Sequence, residues 1–122
     1  MRGIKLIPGY ALVLTVLLSC QTNEGKFRIS NKSDYDIDSL QISPDANQQL
    51  IHLKKDETVA FNTDMDEIST DGAYSIAFKS AHNQQVSRRF GYYTNGHQLE
   101  EVINITILND TILINGKFDN LY

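Results

Sequence analysis

Asp34, Asp36 and Asp38 place carboxylates at alternate positions in the run Asp34-Tyr35-Asp36-Ile37-Asp38, and Asp45 stands twelfth counting from Asp34. Oxygen ligands at such spacing are what a calcium loop offers, because a hard cation gathers several oxygens from a tightly turning backbone. The pattern then breaks: Ser39 occupies the place where that loop needs glycine, and the segment runs on into an apolar alternation. The three aspartates are therefore weak calcium candidates, set against a plainer reading in which they line a strand entry and face water. Asp64, Asp66, Glu67 and Asp71 form a second acidic patch open to the same two readings.

His52, His82 and His97 are far apart and show neither the HxH nor the HExxH spacing that would put two imidazoles on one metal. No GxSxG, Walker or GxGxxG pattern is present, and the chain has a single cysteine, so the usual nucleophile-bearing and phosphate-cradling motifs are missing. A scattered Ser, His and Asp set could still assemble in space, as any chain of this size would allow. The expectation is a non-catalytic protein with no cofactor.

The most distinctive stretch is Arg88-Arg89-Phe90-Gly91-Tyr92-Tyr93-Thr94-Asn95-Gly96. Strict alternation along a strand puts Phe90 and Tyr92 on the inner face and leaves Tyr93 outside beside Arg89, with Asn95 in the following turn. An exposed tyrosine next to a guanidinium is suited to binding, since a flat ring stacks on sugars or side chains and the fork donates paired hydrogen bonds. Arg89, Tyr93 and Asn95 are accordingly a candidate binding surface. The competing reading is ordinary cross-strand packing closed by a hairpin turn.

The elements that must hold these residues are short alternating runs broken by turn signals, with no amphipathic helix. Phe27 and Ile29 share one face of Lys26 to Asn31; Ile37, Leu40 and Ile42 lie in Asp36 to Ser43; Gln49 to Leu53 leads through Lys54-Lys55-Asp56-Glu57 to Val59 and Phe61. Asp71-Gly72 is expected to supply a positive-φ turn before Tyr74, Ile76 and Phe78, and Asn95-Gly96 to close the strand from Val86 to Tyr93. Ile103, Ile105 and Ile107 alternate before the Asn109-Asp110 turn, and Asn115-Gly116 offers a last reversal toward Phe118. Seven or eight strands with hairpin-length links predict an all-β, antiparallel β-sandwich, immunoglobulin-like or transthyretin-like in shape. The absence of tryptophan and of a cysteine pair removes the antibody-type hallmarks.

The N-terminus carries a different message. Arg2 and Lys5 precede an apolar run from Ala11 to Leu18, the layout of an export signal and too short to span a bilayer. Leu17-Leu18-Ser19-Cys20 resembles the lipobox of bacterial lipoproteins, with an aliphatic residue and a small residue set before the cysteine. The resemblance implies cleavage between Ser19 and Cys20, a diacylglyceryl group on the Cys20 thiol and, commonly, an acyl chain on the new amino group. Two or more chains make such an anchor effectively permanent, since each buried methylene contributes about 0.8 kcal/mol. Gln21 in place of an aspartate after the cysteine implies the outer membrane by the sorting rule of Gram-negative lipoproteins. Gln21 to Gly25 faintly resembles surface-export signals, which leaves periplasmic and surface orientation both open.

The expected organisation is a signal peptide over 1–19, a lipidated tether over 20–25 and one β-sandwich domain over 26–122. Loss of Arg2 and Lys5 with the signal takes the 11 basic residues to 9, against 15 acidic ones, for a formal charge of −6. That balance opposes nucleic-acid binding and charge-driven adhesion to anionic lipid. Asn31-Lys32-Ser33, Asn104-Ile105-Thr106 and Asn109-Asp110-Thr111 match the glycosylation sequon but are discounted because the lipobox resemblance implies a bacterium. The sequence thus predicts a membrane-anchored envelope lipoprotein that binds a protein or glycan. The alternatives are a structural subunit of an envelope assembly and a small hydrolase.

Overall fold

The computed structural model describes residues 23–80 and 82–117, so the expected signal peptide, Ser19 and Cys20 lie outside the described residues. Among the described residues there are nine strands: β1 (Glu24–Asn31), β2 (Ile37–Ser43), β3 (Ile51–Leu53), β4 (Thr58–Asp64), β5 (Gly72–Lys79), β6 (Gln85–Thr94), β7 (His97–Gln98), β8 (Val102–Ile107) and β9 (Ile112–Lys117). They form a four-stranded sheet in the order β4-β1-β8-β9 and a five-stranded sheet in the order β3-β2-β5-β6-β7. The sheets face each other: the Phe27 ring meets Tyr74 edge-on at 4.9 Å and Phe90 at 6.0 Å. Edge-to-face geometry suits the ring quadrupoles and adds to the area buried.

Alternation explains most of the core. Phe27 and Ile29 from β1, Tyr74, Ile76 and Phe78 from β5, and Ile103, Ile105 and Ile107 from β8 are all buried, each spaced by two along its strand. Each fully buried aliphatic or aromatic side chain stabilises the fold by about 1.5–3 kcal/mol before entropy is counted. Val59 and Phe61 share one face of β4, as the sequence predicts, and are half-buried there.

Five expectations are corrected. The described residues hold nine strands rather than seven or eight, because the chain re-enters the sheet as β7 straight after the Asn95-Gly96 turn. The sandwich is not wholly antiparallel: β1 runs parallel to β8, with Phe27 opposite Ile103 and Ile29 opposite Ile105. The first strand starts at Glu24, inside the expected tether, because Gly25 already pairs with Thr63. Gly72 does not take positive φ; it is small because the Tyr93 ring lies over it, and a Cβ there would fall 2.7 Å from Tyr93 Oη. Asn115 and Gly116 make no turn and pair with Asn104 and Ile103 inside β9. Asn95 and Gly96 do form the expected tight turn, both at positive φ (52° and 79°).

The sandwich has two different ends. Asn23 enters at one, where the links 44–50 and 64–71 also lie: Asn23 donates its N–H to Asp66 Oδ1 at 2.6 Å, and Ala46 N–H donates to the Asp64 carbonyl at 3.0 Å. The other end carries the links 32–36, 54–57, 80–84 and 108–111. It is knotted by Asn31, whose buried Nδ2 donates to the Tyr35 and Leu53 carbonyls (2.8 and 3.2 Å) while its Oδ1 accepts from Ser33 N–H at 3.0 Å. Asn31 is therefore a structural residue with its amide fully engaged.

Candidate functional site

A groove of about 590 Å³ opens at the end remote from Asn23, between the β5–β6 link, the β8–β9 turn and the β1–β2 link. Its floor comes from Tyr35, Phe78, Val86, Leu108 and Ile112, and its rim from Asp34, Ser80, His82, Asn109 and Asp110. The wall is held by a double clip. Asp34 N–H donates to Asn109 Oδ1 at 2.7 Å, and Asn109 Nδ2 donates back to Asp34 Oδ2 at 2.8 Å. A turn asparagine facing an aspartate can do both because its amide offers a donor and an acceptor on one fork.

The candidate calcium ligands part company at this end. Asp34 serves Asn109, with Lys55 Nζ at 3.9 Å; Asp36 Oδ1 accepts from the Lys55 N–H at 2.9 Å; Asp38 faces His52 Nδ1 at 3.1 Å. Among the described residues, no three His, Cys, Asp or Glu side chains converge as a metal ion would need. The second acidic patch splits likewise into loop caps: Asp64 Oδ1 accepts from Asp66 N–H, Asp66 from Asn23, and Asp71 Oδ1 from Asn95 N–H at 2.8 Å.

Asp45, twelfth in the broken calcium pattern, is a latch instead. Its carboxylate accepts from the N–H groups of Asn47, Gln49 and Asp64 and from Gln49 Nε2, at 2.9 to 3.2 Å. Burial alone would push its carboxyl upward, but the four hydrogen bonds together outweigh that, and the carboxyl is held below its ordinary value.

The expected Arg89, Tyr93 and Asn95 surface is corrected by a bulge. Gly72 pairs with Tyr93 and Tyr74 with Phe90, so one step on β5 spans an extra residue on β6, and Gly91 absorbs it at φ 66°. Phe90 and Tyr93 then both point inward. Tyr93 is 8% exposed with its ring 5.2 Å from Tyr74, whereas Tyr92 takes the outward place at 44% exposure. Arg89 is exposed as expected, and Asn95 sits in its turn at the opposite end from the groove. A glycine inside an otherwise aromatic strand was the signal for this bulge.

The groove also gathers a Ser, His and Asp set, in Ser80, His82 and Asp34. Ser80 Oγ is buried with no hydrogen-bond partner among the described residues, so neither His82 nor another described imidazole holds it as a general base would. His52 and His97 lie elsewhere.

The chain matches no protein-family model, no curated protein and no solved structure. What the groove can hold follows from its walls alone. An apolar floor under a polar rim, in a volume typical of small-molecule clefts, suits a ligand with one greasy face and hydrogen-bonding groups at its edge.

Proposed function

We propose that this chain is a lipid-anchored envelope protein, tethered through Cys20 to the outer membrane, whose sandwich binds a protein side chain or a glycan in the groove without catalysing a reaction. The observation that carries this reading is the placement of the groove opposite Asn23. Only Gln21 and Thr22 separate Asn23 from Cys20, a reach of roughly 10 Å, so an anchor at Cys20 would set the Asn23 end against the lipid and hold the groove outward. A hydrolytic role is disfavoured by the unpartnered Ser80 hydroxyl.

Within the sandwich class we favour the transthyretin-like alternative. An immunoglobulin domain keeps its first two strands in one sheet, whereas β1 and β2 here belong to different sheets.

Two measurements test the proposal. Mass spectrometry of the membrane fraction should find Cys20 diacylglycerylated at the mature N-terminus, and Cys20→Ala should move the protein out of that fraction; firm anchoring of the alanine variant would end the lipoprotein reading. Amide shifts of Phe78, Leu108 and Ile112 should respond together to glycan or peptide fragments. If no fragment moved them as a group, the groove would not be the binding site.

A further inference from the structure

The sheet edges are not equally protected. β3 and β7 are too short to offer a ladder, and β4 is covered where Ala46 N–H meets the Asp64 carbonyl and Gln49 Nε2 meets the Asn62 carbonyl. β6 differs. Its neighbour β7 pairs only with Tyr93 and Thr94, so from Gln85 to Gly91 the strand has β5 on one side and, among the described residues, no backbone partner on the other.

The hairpin sets which groups face that open side. Ser80 N–H donates to the Gln84 carbonyl, so the alternation of an antiparallel pair bonds Phe78 with Val86 and Ile76 with Arg88, and turns the N–H and C=O of Ser87 and Arg89 outward. Their side chains are polar and exposed. Arg88, also exposed, reaches toward the other sheet and donates through Nη1 to the Ile112 carbonyl at 2.6 Å, which braces the edge. The ion pairs among the described residues involve His52, Lys55 and Lys117, so neither Arg88 nor Arg89 has a described carboxylate within 4.0 Å, on a domain that is acidic overall.

We propose that the open edge of β6 takes an extended acidic segment of a partner protein as an added antiparallel strand, paired through Ser87 and Arg89 and neutralised by the two arginines. Main-chain bonds supply the affinity in such strand addition, and alternate side chains supply the selectivity. The same arginines disfavour a second copy of this chain: a twofold pairing through Ser87 and Arg89 would set Arg88 opposite its own copy, which is destabilising. The surface lies on the flank of the sandwich and does not depend on the groove being a site.

The test uses the full chain in detergent micelles and a short synthetic peptide in which aspartate alternates with valine, with a lysine–valine peptide as control. The aspartate peptide should bind, slow the exchange of the Ser87 and Arg89 amides, and leave those of Phe78, Leu108 and Ile112 unmoved. Arg89→Glu should weaken it by about tenfold or more and admit the lysine peptide instead, as expected for loss of a charge-assisted bond. Ser87→Pro, which removes an outward N–H without touching the β5 ladder, should weaken it comparably. The proposal is overturned if neither peptide binds, if binding survives Ser87→Pro in a protein whose spectrum is otherwise native, or if the two amides become protected with protein concentration alone.

Discussion

Phe90 and Tyr93 stand three residues apart on β6, yet both side chains enter the core. Alternation forbids this without an extra residue, and Gly91 supplies it. The two neighbouring tyrosines should therefore differ sharply. Tyr93→Ala is expected to cost about 3 kcal/mol or more, the range for emptying a buried aromatic site. Tyr92→Ala should stay within about 0.5 kcal/mol. Urea denaturation of both variants checks the bulge; equal losses would mean that the register is wrong.

Gly91→Ala should be more costly than a glycine-to-alanine change in a regular strand. The residue sits at φ 66°, and a Cβ would fall 2.9 Å from Ile103 Cδ1 on the opposite sheet. Strain and overlap together are expected to remove about 1–3 kcal/mol, read as a lower urea midpoint at unchanged slope.

Asn31→Ala should destabilise by about 3 kcal/mol, because it strands the Tyr35 and Leu53 carbonyls and the Ser33 N–H where water cannot replace the lost amide. Amide exchange would show whether the loss is local: the links 32–36 and 54–57 should open first, well before β5.

Asp45 gives the fold an acid limb. Its carboxyl is held below the ordinary value in the native state, so its contribution is fully present above the unfolded pKa near 4 and is lost as pH falls through the lower folded one. Asp45→Asn should flatten this part of the stability profile. A melting-temperature scan from neutral to strongly acidic pH, run on both proteins, measures it; parallel curves would show that Asp45 is not the group responsible.

Tyr74 acts at the other extreme. Its phenol is pushed well above the ordinary tyrosine range, first by burial and then by Glu100 and Tyr93, so stability is whole below about pH 10 and falls as pH rises beyond it. The buried hydroxyl has no hydrogen-bond partner among the described residues. Tyr74→Phe should consequently leave neutral-pH stability unchanged or raise it by about 1 kcal/mol, since only an unsatisfied group is removed. A clear loss in calorimetry would show that the hydroxyl is bonded after all.

How much of this was legible in the sequence depends on the range of the signal. Ile103, Ile105 and Ile107, or Tyr74, Ile76 and Phe78, announce their strands and their inner face through period two alone. The pairing of β1 with β8 left no mark, because parallel neighbours far apart in sequence share no turn. Spacing by three carried information that strict alternation discarded: Ile37 to Leu40 and Phe90 to Tyr93 each span a bulge. The groove was illegible for another reason. Asp34, Ser80, His82 and Asn109 come from three links far apart in sequence, and only the closure of the sandwich sets them around one opening.

The parallel neighbour of β1 also has a mechanical consequence. β1 is the strand nearest the proposed anchor, and it runs between β4 and β8 rather than along a border of its sheet. A pull applied at Asn23 against a load held at the far end acts along the strand. The rungs from Phe27 to Ser30, on both sides, would then have to shear together instead of peeling one at a time. Such an arrangement resists stretching far better than its equilibrium stability would suggest, and it places that resistance where tension from the membrane would enter the domain.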